Sequence, residues 1–312
     1  MRVALLDIDY KNFPNIALMK ISAWHKRNGD SVEWYSPWGE RYDICYVSKV
    51  FSFSKDYDLA INADKVIRGG SGYAIEMAEG KEVYRKERDN DLPQEMEHIY
   101  PDYSLYPQLT FDTAYGFLTR GCPRGCPFCI VEKKEGRCSR KVADLAEFWK
   151  GQKNIVLCDP NLLAAKEWKD ILLELAETRA WVDFNQGLDI RLMTEEKALL
   201  LGRIKMKEIH FAWDRFQERD QVLPKLRLFA EVNGLRSHKA IVYTLVNYDT
   251  SLEEDLERIY TLRDMGYWPY VMVYDKEHAD RIYHDLQRWV NMRSTFASVK
   301  NFQEYKRYGA IC

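Results

Sequence analysis

The chain has 312 residues, 46% of them hydrophobic and 30% charged, with a formal net charge of −2 at pH 7. That balance belongs to a folded chain with room for one large domain or two smaller ones, and it excludes a broad polyanion-gripping surface, so no clear nucleic-acid partner is indicated. No apolar run approaches the about 18 residues of a membrane span, and MRVALLDIDYKNF stops at Asp7 without a signal-peptide pattern, so no membrane partner and a cytoplasmic location are expected.

The predicted elements alternate from the start. Residues 3–8 (VALLDI) suit a buried strand. Pro14 opens a helix over NIALMKISAWHKRNG, with Ile16, Met19 and Trp24 on its apolar face and Gly29 at its end. Residues 31–35 and 43–47 read as strands, and KVIRGG (65–70) as a strand running into a glycine turn. IRGGSG (67–72) is either a structural turn or a backbone approach to a phosphate. This order predicts a small parallel α/β domain. Residues 85–107, charged and then rich in Pro and Tyr, interrupt it. The predicted division is a Rossmann-like domain over 1–90, a linker over 91–110 and a second domain over 111–312.

A second alternation begins with the strand AYGFLT (114–119). A helix is predicted over 142–151, a strand over 154–159, a strongly periodic helix over 162–178 and a strand over 181–185. A helix capped by Thr194, a strand over 208–214 and a helix containing Pro224 follow. Next come a strand over 239–246, a helix capped by Ser251, a strand over 268–274 and a helix over 278–292. Six strand–helix units are two short of a closed eightfold barrel, which leaves a partial (β/α)6 TIM-like barrel or an open, doubly wound sheet. Either way the site belongs at the C-terminal ends of the strands. STFASVKNFQEYKRYGAIC is expected as a terminal helix.

The stretch GCPRGCPFC (121–129) leaves the first strand of this second alternation and holds three of the seven cysteines. In a reducing compartment, clustered cysteines read as metal or redox sites. The spacing of Cys122, Cys126 and Cys129 suits soft-metal ligation. Most iron–sulfur clusters take four thiolates, so three would leave one iron of a four-iron cluster open to an outside ligand. Pro123 and Pro127 stiffen the loop, Gly121 and Gly125 let it curl, and Phe128 adds an apolar face. Two other readings use the same cysteines. One is a zinc-stabilised structural or interaction protein that adds Cys138; the other is an iron–sulfur electron carrier.

The pattern C-x3-C-x-aromatic-C on the first loop of such a barrel resembles the radical S-adenosylmethionine superfamily, over roughly residues 105–295. The N-terminal segment resembles the cobalamin-binding-type domain of one branch. The resemblance implies a [4Fe–4S] cluster on Cys122, Cys126 and Cys129, with Phe128 near the adenine of S-adenosylmethionine. It implies reductive cleavage to a 5′-deoxyadenosyl radical that takes hydrogen from an unknown substrate. It also implies a low-potential electron donor such as flavodoxin or ferredoxin. Cobalamin is the less secure cofactor: the D-x-H-x-x-G motif is missing, since Tyr10 and Lys11 follow Asp9, although His-independent binding occurs in the branch. No second cluster spacing is present, which argues against the methylthiotransferase type.

Other residues follow by position. Asp159 and Asn161 (LCDPN) either meet the methionine amino group or form a turn that caps the next helix. In FNQGLDIRL (184–192), Gln186 and Arg191 are placed with the cofactor; for Arg191 the alternative is a surface pair with Asp189. Trp213, Asp214, Asn247 and Tyr248 are candidates to line a substrate pocket. KKEGRCSRK (133–141), with five basic residues, is either a docking patch or a solvated loop.

Overall fold

The computed structural model describes residues 1–78, 81–235 and 239–305. The chain divides into two compact units, Met1–Pro160 and Asn161–Cys312.

In the first unit, β1 (Arg2–Asp7) is apolar on both faces and takes the centre of a parallel sheet. α1 (Ile16–Arg27) returns the chain, its N-terminus capped by Asn15, whose side chain accepts from the Leu18 N–H at 3.1 Å. β2 (Ser31–Trp34), β3 (Tyr42–Ser48) and β4 (Ala63–Gly69) complete the order β2-β1-β3-β4, with Val3 opposite both Val32 and Ile44. Side chains alternate across the sheet. Val3, Leu5 and Ile44 pack with Leu18 and Met19 of α1, whereas Ala4, Cys45 and Val47 join a second cluster with Tyr42.

Short elements follow: α2 (Ser71–Ala74), the antiparallel hairpin of β5 (Ile75–Ala78) and β6 (Lys81–Tyr84), α3 (Gln94–Glu97) and α4 (Pro107–Thr110). The IRGGSG turn is structural. Gly70 has φ +98°, and a Cβ there would stand 2.3 Å from the Lys49 carbonyl oxygen. The Gly72 N–H is already donated to that oxygen at 2.9 Å.

β7 (Thr113–Gly116) leads to β8 (Thr119–Arg120), α5 (Val131–Glu135) and β9 (Arg140–Lys141). β10 (Asn154–Leu157) pairs parallel with β7. The helix expected over 142–151 is not formed. Asp144 and Glu147 make a capping box, but only one 3₁₀ turn, Leu145–Glu147, follows it. Phe148 leaves helical geometry at φ −135° and sits over Gly116, where a Cβ would come within 2.4 Å of its ring. Burying Phe148 against the strand outweighs the local helical pattern.

The second unit is the regular one. α6 (Trp168–Thr178) begins later than the periodicity suggests, because residues 162–164 form a 3₁₀ turn. β11 (Trp181–Phe184), α7 (Glu195–Arg203), β12 (Ile209–Ala212), α8 (Arg219–Asn233), β13 (Ala240–Val246), α9 (Leu252–Asp264), β14 (Trp268–Val273) and α10 (Arg281–Asn291) alternate as expected. Thr194 caps α7, and Ser251 and Glu254 form the capping box of α9. β12, β13 and β14 are parallel neighbours in that order. One face is sealed by helices: Phe211 meets Phe229 at 4.9 Å, and Val271 packs with Ile259, Leu286 and Trp289. Of the predicted terminal helix, α11 (Arg293–Ser298) is present, and residues 306–312 lie outside the described ones. No helix among the described residues is long and apolar enough to cross a membrane.

Candidate functional site

The cysteine loop is an excursion closed at its base by the antiparallel pair β8–β9, with Thr119 opposite Lys141 and Arg120 opposite Arg140. Glu135 ties the two sides together: its carboxylate accepts from the Gly121 N–H at 3.0 Å and from Arg120 Nη1 at 3.1 Å. The Cys122 N–H donates to the Gly136 carbonyl at 3.1 Å, and the Cys129 N–H to the Cys126 carbonyl at 2.9 Å. Two glycines along the path take positive φ. Gly121 has φ +89°, and a Cβ there would lie 2.3 Å from the Cys138 carbonyl oxygen. Gly125 has φ +60°, and a Cβ there would meet the Glu132 carboxylate at 2.4 Å. Cys122, Cys126 and Cys129 are half-buried, as is Phe128, whereas Cys138 is exposed.

Among the described residues no three His, Cys, Asp or Glu side chains converge where one ion would bind.

Asp159 stands at the entrance to the loop, 4% exposed. Its carboxylate accepts from the Thr119 N–H at 2.5 Å, the Thr119 hydroxyl at 2.7 Å and the Leu118 N–H at 3.2 Å. Burial pushes its pKa up to about 6, against the opposing pull of the Thr119 and Leu118 hydrogen bonds. The group therefore fixes the backbone that presents Gly121 and Cys122.

In the second unit the structure brings Asn161, Asp189 and Arg191 together. Asn161 Nδ2 donates to Asp189 Oδ2 at 3.2 Å, and Arg191 Nε donates to Asp189 Oδ1 at 2.7 Å. Arg191 Nη1 reaches Glu218 at 2.6 Å. With side-chain exposures of 16% for Arg191 and 6% for Asp189, the pair is mostly buried and not a surface contact.

Asp214, just past the end of β12, is half-buried, its Oδ1 buried without a hydrogen-bond partner. Burial pushes its pKa up to about 6, opposed by Arg258 and Arg191. Arg258 is wholly buried. Its Nη1 donates to the Trp213 and Asp214 carbonyls, and its Nη2 to the Leu245 carbonyl, each at 2.7 Å, and it pairs with buried Asp255. Trp213, expected to line a pocket, is instead 0% exposed, its indole N–H bonded to the Arg215 carbonyl at 2.9 Å. Asn247 takes φ +62° and holds the Tyr274 carbonyl at 3.0 Å, which gives it a turn-forming role.

Gln186 is exposed and lines a different feature, an open cleft of about 540 Å³ on the face of β12–β14 opposite Phe211, Val242 and Val271. His210, Tyr243 and Tyr270 share this face. The linear sequence hid them. Each occupies an alternate position on its own strand, so only the strand register assembles them.

The basic stretch 133–141 is largely self-neutralised. Arg137 pairs with Glu132 and Lys141 with Asp144, Lys134 lies near Asp89, and Arg140 donates to the Glu135 carbonyl. His25, the only histidine in residues 1–90, is 1% exposed, with its ring nitrogens against Asp30 at 2.7 Å and Tyr46 at 3.0 Å.

No family model matches the chain, and no curated protein matches it. Solved structures do. One is the radical S-adenosylmethionine methyltransferase TsrM from Kitasatospora setae with cobalamin and a [4Fe–4S] cluster bound. It has a TM-score of 0.58 and 11% identity, and the alignment covers 87% of this chain and 74% of that one. Another is TsrM from Kitasatospora setae with tryptophan substrate and an aza analogue of S-adenosylmethionine bound, with a TM-score of 0.58, 12% identity, and 88% and 72% covered. The likeness is one of fold.

Proposed function

We propose that this chain is a radical S-adenosylmethionine enzyme whose [4Fe–4S] cluster is held by Cys122, Cys126 and Cys129. The observation that carries the reading is the C-x3-C-x-F-C loop, closed by β8–β9, in a chain that shares the fold of TsrM. The loop fits the group: its donors are three half-buried thiols, and its curl depends on glycines where a Cβ has no room. The proposed organisation is a cobalamin-binding-type Rossmann-like domain over 1–90, a linker over 91–110 and a partial (β/α)6 barrel over 111–312.

The chemistry such a cluster supplies when bound is one-electron reductive cleavage of S-adenosylmethionine to methionine and a 5′-deoxyadenosyl radical that abstracts hydrogen from substrate. The protein's own part is positioning and shielding. Phe128 offers an apolar face beside the thiolates. Asp159 sets the loop entrance through Leu118 and Thr119. Asn161 and Arg191 are proposed as polar contacts to the methionine and adenosyl groups, with Arg191 oriented by Asp189 and Glu218; Gln186, which lines the cleft on β12–β14, is not placed with them. The unknown substrate and a low-potential donor of the flavodoxin or ferredoxin class complete a cytoplasmic reaction.

Cobalamin, present in TsrM, finds no histidine ligand in the first domain, since Asp30 and Tyr46 occupy both nitrogens of His25. No step is assigned to it.

The test is anaerobic reconstitution and reduction, addition of S-adenosylmethionine, and mass spectrometry for 5′-deoxyadenosine. Absorbance near about 400 nm, about four irons per chain and loss of product in Cys126→Ala are expected. Stoichiometric zinc without iron or product would sink the reading.

A further inference from the structure

The cleft on β12–β14 has the make-up of a ligand site. Its volume of about 540 Å³ lies in the range of small-molecule pockets. Its floor is aromatic and apolar, from Ile241, Tyr243, Tyr270 and Met272, on the face opposite Val242 and Val271. The His210 ring lies parallel to Tyr243, 5.3 Å between centroids and 4° between planes. Tyr270 meets Tyr243 edge-on at 5.8 Å. A flat ring would extend this aromatic floor.

The polar wall sets the chemistry. His210 stands between two carboxylates, Nδ1 3.7 Å from Asp183 Oδ1 and Nε2 3.8 Å from Glu208 Oε2. Both distances are too long for hydrogen bonds. His210 Nδ1 and Asp183 Oδ1 are buried without hydrogen-bond partners. Glu208 is held from its other oxygen, Oε1, which accepts from Arg293 at 2.5 Å. Burial lowers the His210 pKa below the ordinary histidine value, which favours the neutral ring. With its proton on Nδ1, toward Asp183, the ring presents Nε2 as an acceptor. Nε2 and Glu208 Oε2 then form an acceptor pair with no donor between them among the described residues. The Arg293–Glu208 pair leaves no surplus positive charge for a phosphate chain, so a small uncharged or weakly basic molecule fits better than a nucleic acid.

We propose that this cleft binds a free planar nitrogen heterocycle, stacked on the Tyr243–Tyr270 floor and donating a ring N–H or amino group to His210 Nε2 and Glu208 Oε2. As a substrate site it rests on the radical reading above; as a ligand site it does not, so binding is measured without turnover.

The experiment uses the full chain, as isolated anaerobically, in calorimetric titrations with indole, adenine and benzofuran. Benzofuran is the shape match of indole without the N–H. A Kd for indole or adenine of about 1 mM or below is expected for ligands of this size. Benzofuran should bind about fivefold more weakly than indole, the worth of one hydrogen bond. His210→Phe keeps a flat ring and should erase that preference. Tyr270→Leu, at a position 41% exposed on the sheet, should weaken indole and benzofuran alike. Circular dichroism establishes that each variant is folded. No saturable binding of indole or adenine, benzofuran binding as tightly as indole, or a preference that survives His210→Phe overturns the proposal. Displacement of indole by S-adenosylmethionine also overturns it, by giving the cleft to the cofactor. Failure of the cleavage assay with indole binding intact would instead count against the radical reading alone.

Discussion

In the N-terminal unit a buried carboxylate, Asp159, collects the N–H groups of Leu118 and Thr119 at the mouth of the cysteine loop. In the C-terminal unit a buried guanidinium, Arg258, collects the carbonyls of Trp213, Asp214 and Leu245 at the ends of β12 and β13. Both fix strand ends with one charged side chain. They differ in how that charge is tolerated. Arg258 has a buried counter-ion, Asp255, and a guanidinium does not deprotonate in proteins. Asp159 has hydrogen bonds but, among the described residues, no ion-pair partner, and burial raises its pKa to about 6. The entrance to the cysteine loop is therefore braced by a carboxyl that titrates near pH 6, without a cation to hold its charge.

The largest effect expected from breaking this comparison is at Arg258. Arg258→Ala leaves Asp255 buried without its cation and strips three carbonyls of their donor. A loss of about 3–5 kcal/mol is expected, read as a lower urea midpoint at unchanged slope. Arg258→Lys should recover little, because one ammonium cannot reproduce the fork. A loss below about 1 kcal/mol would mean that the pair is no brace.

The pH dependence separates the two braces further. A carboxyl whose folded pKa lies above its unfolded value binds more protons folded than unfolded. Its contribution is present below about pH 4 and is lost as pH rises through about 6. For Asp159 the nominal size is about 2–3 kcal/mol. Asn imitates the protonated acid, so Asp159→Asn should cost more at pH 4 than at pH 7, by about that amount. Urea denaturation of both proteins at the two pH values reads the difference. A cost independent of pH would place the Asp159 pKa near its ordinary value.

The two units were not equally legible in the sequence. Local devices read through well: the Thr194 and Ser251 caps and the period of α9 and α10 each rest on neighbouring turns of chain. Features set by packing did not. The capping box at Asp144 signals a helix, yet the pocket above Gly116 takes Phe148 out of it. Trp213 looked like a strand-end pocket residue, but it is wholly buried and its indole N–H is spent on the Arg215 carbonyl. His210, Tyr243 and Tyr270 belong to three strands, and nothing in any one strand announces the cleft.

The smallest effects concern the backbone of the cysteine loop, which Asp159 orients but does not itself shape. Gly121 and Gly125 both have positive φ, and their surroundings differ. At Gly121 an added Cβ collides with the Cys138 backbone carbonyl, so the chain beneath the loop must move. At Gly125 the obstacle is the Glu132 carboxylate, the mobile end of a side chain. Gly125→Ala should therefore cost about 1 kcal/mol, the ordinary penalty for the left-handed region, and leave iron loading intact. Gly121→Ala should cost about 1–3 kcal/mol from conformation alone, with the collision added, and should lower the iron bound per chain after anaerobic reconstitution. Iron content and urea midpoints for the two variants, measured side by side, decide whether the loop is a built cradle. If Gly121→Ala binds as much iron as Gly125→Ala, the fixed path between β8 and β9 does not set the position of the thiolates.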